Sequence, residues 1–481
     1  MAATVAGLCV VPQAAAGSTL DWGACPFPSK AECTTVKVPL DYENTDAGSI
    51  DMVVSRTRST NPPARRGVLI VNQGGPAPHA NDTFEIFPRS LTDAYDIISF
   101  DQRGFGRSAP VRCQVPASRD TLIPWPQPGG FAEDVSVAKQ IARNCVEQGG
   151  PVIAHMGTAY VARDMEVLRK ALGESKISYL GMSYGSYLGT AYASLFPEHT
   201  DRVLLVSVSS PDRMWRGHWQ RSLGEGFALR FPDFARHVGQ PVDEVYPRLV
   251  TLTKQLDRAP LQTPRGVLDG NVLRAAIYAA MYNDGQLPML ASLAHAVAAG
   301  DAATAGDMAL QLGAWRPTDR AAAMLGVSCS DGDWPRSMSV YQREVHADAV
   351  RYPLFAGAGS NVWPCAFWPY PVDERVRANP RGPQNILIIN NVRDPSTPLA
   401  NAQELRAAFG DRARLVTVEQ GGHNAYLYSP NVCANDAGTA FLLGATAHDK
   451  NCVEIDNGTT GAAGVGDRQG RVVDGHHAGP W

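Results

Sequence analysis

Six short apolar runs, each closed by a turn signal, predict an α/β protein on a mostly parallel sheet flanked by helices. Helical patterns separate several runs, and the rhythm breaks once, over residues 212–382. The runs are "GVLIVNQGG" (67–75), "YDIISFDQRG" (95–104), "KISYLGM" (176–182), "RVLLVSV" (202–208), "NILIINNV" (385–392) and "RLVTVEQGG" (414–422). Unbroken apolar runs of this length are the pattern of strands buried on both faces. "TAYVARDMEVLRKALG" (158–173) is amphipathic and ends on Gly173, a fitting C-cap. "LANAQELRAAFG" (399–410) repeats that logic. Strand–helix alternation implies right-handed crossovers.

The break divides the chain. Residues 17–211 are expected to form the first part of an α/β core and 383–455 the second. Between them, 212–382 reads first as helices ("VDEVYPRLVTLTKQLDRA", "GNVLRAAIYAAMYN", "MLASLAHAVAAG") and then as aromatic loops ("DGDWPRSMSVYQ", "NVWPCAFWPYP"). This is a helical cap inserted between two strands. Its tryptophans could line an apolar pocket or form the cap's own core.

The two ends read differently. "MAATVAGLCVVPQAAAGS" has the apolar stretch and small residues of an export signal, with no Lys or Arg before Lys30. A shortened signal segment over 1–16, and a secreted protein, are the expectation. Residues 456–481 are Gly-rich without periodicity, so disorder is expected there and no role falls to His476 or His477.

At 481 residues the chain can hold one large domain with a sizeable insertion. Its net charge of −4, from 43 Lys+Arg against 47 Asp+Glu, gives no reason to expect nucleic acid or an anionic membrane as partner. No run of about 18 apolar residues marks a transmembrane helix. A small-molecule or short-peptide substrate and a monomer are expected. Apart from Cys9, the cysteines are an even set: Cys25, Cys33, Cys113, Cys145, Cys329, Cys365, Cys433 and Cys452. No C-x-x-C and no Cys/His cluster has zinc spacing, so neither a metal nor another cofactor is expected. Disulfides in an oxidising compartment are the simpler reading, with the connectivity open among 105 possibilities.

Gly181-Met182-Ser183-Tyr184-Gly185 fits G-x-S-x-G between a strand and a helix. In that setting the pattern is a tight turn that raises a serine nucleophile at the C-terminal edge of a sheet. The glycines are required because neighbouring backbones leave no room for side chains. A serine nucleophile needs a base and an orienting acid, which in this architecture follow in the order Ser, Asp/Glu, His. Asp394 ends the strand "NILIINNV", and His423 follows the strand "RLVTVEQGG". Each alone is bland; three in order, each beyond a strand, form a catalytic triad. The oxyanion of the tetrahedral intermediate needs two donors. The N–H of Tyr184 is one. The loop "NQGGPAP" (72–78) offers the N–H of Gly75 as the other.

At this point the chain resembles the secreted tripeptidyl aminopeptidase-like α/β-hydrolases of actinomycetes, related to the proline iminopeptidase (S33) peptidases. The resemblance covers most of 22–455. It is carried by "VPLDY", "GVLIVNQGGP", "YDIISFDQRGFGRS", "HMGTAYVARDMEVLRKALGESKISYLGMSYGSYLGTAYASLFPEH", "CSDGDWP", "PCAFWP", "DPSTP" and "GGHNAY". It implies the α/β-hydrolase fold with a helical cap, Ser183 as nucleophile, Asp394 as acid and His423 as base. It also implies disulfides, here between sequence neighbours, and cleavage of short peptides from a free N-terminus. Asp331, Asp333 and Glu344 in the cap are candidates to hold the substrate's ammonium group.

The chain departs from the family at three places. The oxyanion loop, usually N-P-G-G-P-G-G-S-G, is Asn72-Gln73-Gly74-Gly75-Pro76-Ala77-Pro78-His79-Ala80. After "RVLLV", Ser207-Val208-Ser209-Ser210-Pro211-Asp212 lacks both acids of the usual Asp-Ser-x-x-Asp-Pro. Phe100-Asp101-Gln102-Arg103-Gly104 replaces F-D-P-R-G. These changes bear on the peptide substrate, and two further readings stand beside it. One is an esterase, lactonase or amide hydrolase acting on a small natural product. The other is a non-hydrolytic binding protein on the same fold.

Overall fold

The computed structural model describes residues 20–80, 86–115, 123–314 and 321–453. The expected signal segment (1–16) and Gly-rich tail (456–481) lie outside the described residues. The strands are β1 (Gly23–Ala24), β2 (Glu32–Pro39), β3 (Ser49–Thr57), β4 (Gly67–Asn72), β5 (Tyr95–Phe100), β6 (Ile177–Met182), β7 (Thr200–Val206), β8 (Leu261–Thr263), β9 (Gly266–Leu268), β10 (Ile386–Arg393), β11 (Ala413–Gly421) and β12 (Lys450–Cys452). All but the hairpin β8–β9 join one ten-stranded sheet, in the order β1-β2-β3-β5-β4-β6-β7-β10-β11-β12. From β5 through β12 every neighbour pair is parallel; β1, β2 and β3 add antiparallel strands at one edge.

The parallel strands are apolar on both faces because helices cover both faces. On one side Leu69, Val71, Ile97, Leu180, Met182, Leu204, Val206, Leu387 and Ile389 meet helices α1 (Arg89–Ala94) and α14 (Val432–Leu442). On the other, Val68, Ile70, Ile98, Tyr179, Leu205 and Ile388 meet α2 (Phe131–Gln148), α3 (Thr158–Ala171), α4 (Tyr184–Leu195) and α13 (Leu399–Phe409). Among the described residues, the stretch between β7 and β10 holds eight α-helices: α5 (Arg216–Arg221), α6 (Phe227–Val238), α7 (Val242–Arg258), α8 (Gly270–Ala280), α9 (Leu287–Ala299), α10 (Ala302–Gln311), α11 (Ala321–Asp331) and α12 (Met338–Arg351). Its apolar residues are continuous with those of the second face, so cap and sheet share a core.

One expectation needs correcting. The aromatic loops read at 331–342 overlap α12, which starts at Met338. That helix buries only Tyr341, so it has almost no apolar stripe to read. β2 and β3 also lie outside the six apolar runs. Each is partly exposed and alternating, the pattern of an edge antiparallel strand, not of an apolar run.

The cysteines pair as sequence neighbours: Cys25–Cys33, Cys113–Cys145, Cys329–Cys365 and Cys433–Cys452. The third ties the end of α11 to the turn at Pro364–Phe367.

A buried ion pair sets the position of α3. Arg103 donates from Nε to Asp164 Oδ2 (2.7 Å) and from Nη2 to Oδ1 (2.6 Å), with neither side chain exposed. Its remaining N–H groups reach the carbonyls of Pro39, Leu40 and His155. Tyr42 donates to Asp164 as well (2.7 Å). Every donor of the guanidinium fork has a partner, which is the condition for a charge to sit in a core. Asp164→Asn leaves that charge uncompensated. The expected loss is about 3–5 kcal/mol, read as a shift in the urea midpoint; an unchanged midpoint would contradict this assignment.

Candidate active site

Ser183 is the single residue between β6 and α4, with φ +54° and ψ −123°. A non-glycine residue with positive φ is strained and persists only where its surroundings fix it. Three glycines let them do so. A Cβ on Gly181 would come within 2.2 Å of the Gly185 carbonyl oxygen, and one on Gly185 within 2.2 Å of the Asn72 carbonyl oxygen. A Cβ on Gly74 would meet Met182 O at 2.5 Å and Ser183 Cβ at 2.8 Å. The turn and the 72–75 loop therefore touch backbone to backbone.

This contact sets up the expected oxyanion donors. Tyr184 N–H belongs to the first turn of α4, where amides have no intrahelical acceptor. Gly75 N–H donates to no carbonyl or side chain among the described residues. The loop is held from behind: Gly74 N–H donates to Asn72 Oδ1 (2.9 Å), and His79 Nε2 donates to the Gly74 carbonyl (2.7 Å). Ala80 N–H donates to Asp101 (2.9 Å). The side chains of Asn72, His79 and Asp101 thus anchor this loop.

Asp394 and His423 follow the adjacent strands β10 and β11. His423 Nδ1 lies 3.0 and 2.9 Å from the two oxygens of Asp394. Asp394 is wholly buried and also accepts from Ser396 N–H (2.9 Å), Thr397 N–H (2.8 Å) and the Thr397 hydroxyl (2.9 Å). With Nδ1–H donated to the carboxylate, Nε2 is left as the basic nitrogen. The loop is pinned on both sides. Asn391 donates to the Gly422 carbonyl (2.8 Å), and Asn424 N–H donates to Ser207 Oγ (2.9 Å). From the cap, Tyr282 accepts the His423 N–H on its carbonyl (2.8 Å) and packs its ring edge-on against the imidazole at 5.0 Å. An aromatic file continues away from it through Tyr278, Trp219 and Trp363 to Trp334.

The three cap acids fare differently. Asp331, 5% exposed, closes α11 against the start of α3. It accepts from Thr158 N–H (2.6 Å), the Thr158 hydroxyl (2.7 Å) and Trp215 Nε1–H (3.1 Å). Thr158 Oγ1 also meets the Tyr184 hydroxyl at 2.8 Å. Asp331 is therefore two hydrogen bonds from the residue after Ser183. Asp333 is 83% exposed and, among the described residues, pairs only with Arg375, at 3.7 Å. Glu344, on α12, is bound to Arg216 and to Gln220 (2.9 Å). The structure thus links Asp331 to the Ser183 turn and leaves Asp333 and Glu344 in surface ion pairs.

A further acid stands beside Asp331. Asp373 accepts the N–H of Gly157 (2.8 Å), the residue before Thr158. Burial pushes the Asp331 carboxyl up to about 6, against the hydrogen bonds of Thr158. Burial, and then the charge of Asp331, push Asp373 up to about 7. Asp373 lies in an irregular segment without periodicity, so only the folded chain brings it here.

The α/β hydrolase fold family matches residues 67–430, and the chain belongs to that family. Within it, this is a tripeptidyl aminopeptidase-like serine hydrolase. It is 31% identical to the tripeptidyl aminopeptidase of Streptomyces coelicolor, over 93% of this chain and 88% of that protein. It is 27% identical to the serine protease Hip1 of Mycobacterium tuberculosis, over 89% and 90%. It is 29% identical to a protein named carboxylesterase B of the same species, over 86% and 85%.

Two outcomes follow from this geometry. Gly185→Ala places a methyl group on the Asn72 carbonyl and is expected to abolish soluble, active enzyme; retained activity would contradict the packing. Asp331 and Asp373 titrate higher folded than in the unfolded chain, near pH 4. Their contribution is therefore full below about pH 4 and falls as pH rises through about 6 and about 7. Asp373→Asn removes part of that fall. Its melting temperature should gain on wild type between pH 4.5 and 8; a constant difference over that range would contradict the assignment.

Proposed function

We propose that Ser183, Asp394 and His423 carry acyl transfer, and that the enzyme releases short peptides from a free N-terminus. The observation that carries the reading is the Asp394–His423 pair beyond β10 and β11, at the same end of the sheet as the strained Ser183 turn. His423 Nε2 takes the proton of Ser183 as Oγ attacks the scissile carbonyl. The oxyanion is met by the N–H groups of Tyr184 and Gly75. Collapse breaks the C–N bond, and the proton on His423 goes to the leaving amine. Water, deprotonated by His423, then releases the acyl group and regenerates Ser183.

Recognition of a free N-terminus needs negative charge near the site. Asp331 and Asp373 support this role: they are close, raised by burial, and without an ion pair among the described residues. A substrate ammonium would favour the ionised form of both. The names of the Streptomyces relatives support a tripeptide product. Four disulfides support export to an oxidising compartment. No helix among the described residues is long and apolar enough to cross a membrane. An ester substrate is the second reading, favoured by the relative named carboxylesterase B and by Ala77 and Pro78 beside the Gly75 donor.

Chromogenic tripeptidyl amides with free and acetylated N-termini separate the readings. The free form should be turned over at least about tenfold better, and Ser183→Ala should turn over neither. Asp373→Asn should narrow the gap by raising KM for the free form. Equal rates on both forms, or turnover of short esters alone, would overturn the exopeptidase reading.

A further inference from the structure

The first cap helix brings a second histidine to the triad. His218 lies one turn before Ser222, whose hydroxyl donates to the carbonyl of Pro395 (3.0 Å), the residue after Asp394. Residues four apart share a helix face, so His218 and Ser222 both face the loop of the acid. A π-helical turn, Ser222–Gly226, follows at once. A Cβ on Gly226 would come within 2.1 Å of the same Pro395 carbonyl oxygen. Such turns concentrate at functional sites because they re-aim side chains without breaking the helix.

His218 is 7% exposed, and its Nδ1 is buried with no hydrogen-bond partner among the described residues. Its ring stands edge-on to Trp219 at 5.2 Å. Burial, and then the nearby His423, lower its basicity to about 4, while Asp394 pulls the other way and Arg221 adds to the lowering. The imidazole is thus uncharged at neutral pH, in electrostatic contact with both partners of the nucleophile. A buried imidazole nitrogen left unpaired is costly, and such groups in native proteins call for an explanation.

We propose that His218 is a specificity-determining residue whose imidazole hydrogen-bonds an amide group of the bound substrate near the scissile bond. This rests on the peptide reading above. The consequence is selection for peptides over simple esters. A site built to pair with a substrate polar group rejects an analogue without it, since the buried protein group is then left alone.

The test compares wild type, His218→Phe and His218→Gln on a free tripeptidyl p-nitroanilide and on p-nitrophenyl acetate, which has no amide to bind. His218→Phe should lower kcat/KM on the tripeptide about ten- to a hundredfold and leave the acetate within about twofold. His218→Gln, which can still hydrogen-bond, should recover most of the loss. Parallel loss on both substrates, or loss on neither, would overturn the proposal. If His218→Phe does not fold, wild type is read on tripeptides with single internal amides replaced by esters. One replacement should cost about tenfold, and His218→Gln should change that cost; no costly replacement would overturn the proposal. Wild type that cleaves the acetate but no tripeptide overturns the exopeptidase reading and this one with it. Wild type that cleaves both, with an unchanged ratio in the variants, overturns the role of His218 alone.

Discussion

The positive φ at Ser183 is the constraint from which the rest of the site follows. A backbone in that region is held only if every neighbour forbids relaxation. Here the neighbours are other backbones: Gly185 against Asn72, Gly181 against Gly185, and Gly74 against Met182 and Ser183. The contacts that hold the strain also bring the 72–75 loop against the first amide of α4. Ser183 and the amides of Tyr184 and Gly75, the proposed nucleophile and oxyanion donors, are thus positioned by one act of packing. That packing needs β4 beside β6, which is where the parallel sheet puts it.

The cap is built into this arrangement. Tyr282 accepts the main-chain N–H of His423, so a cap residue fixes the height of the proposed base above the sheet. Asp331 binds the first residue of α3 and, through Thr158, the ring of Tyr184. α3 is itself fixed by Arg103 and Asp164. The cap therefore reaches two of the proposed site residues, His423 from above and Tyr184 from behind. Trp215, at φ +60°, marks where the chain turns from the sheet into the cap, and it donates to Asp331. Strain and buried charge meet at that junction.

Much of this was legible in the sequence, for physical reasons. Strands buried on both faces give apolar runs, so β4, β5, β6, β7, β10 and β11 stood out. Ser183, Asp394 and His423 were readable because each follows such a run. β2, β3 and α12 were not, because the strands alternate between buried and exposed positions and the helix buries only Tyr341, so none carries an unbroken apolar run. Thr397 lay inside the quoted "DPSTP", yet its hydrogen bonds to Asp394 depend on the turn the segment adopts. Asp373, Tyr282 and His218 sit in irregular stretches or on cap helices far from the triad in the chain. No spacing rule links them to it; only the folding of the cap onto the sheet does.

The proposed chemistry depends on Ser183 being an activated nucleophile. Its most direct measurement is treatment of the folded protein with a fluorophosphonate, followed by mass mapping of the adduct. One adduct per chain, on Ser183, is the predicted result. No adduct on folded protein, or an adduct on another residue with Ser183 unmodified, would contradict it.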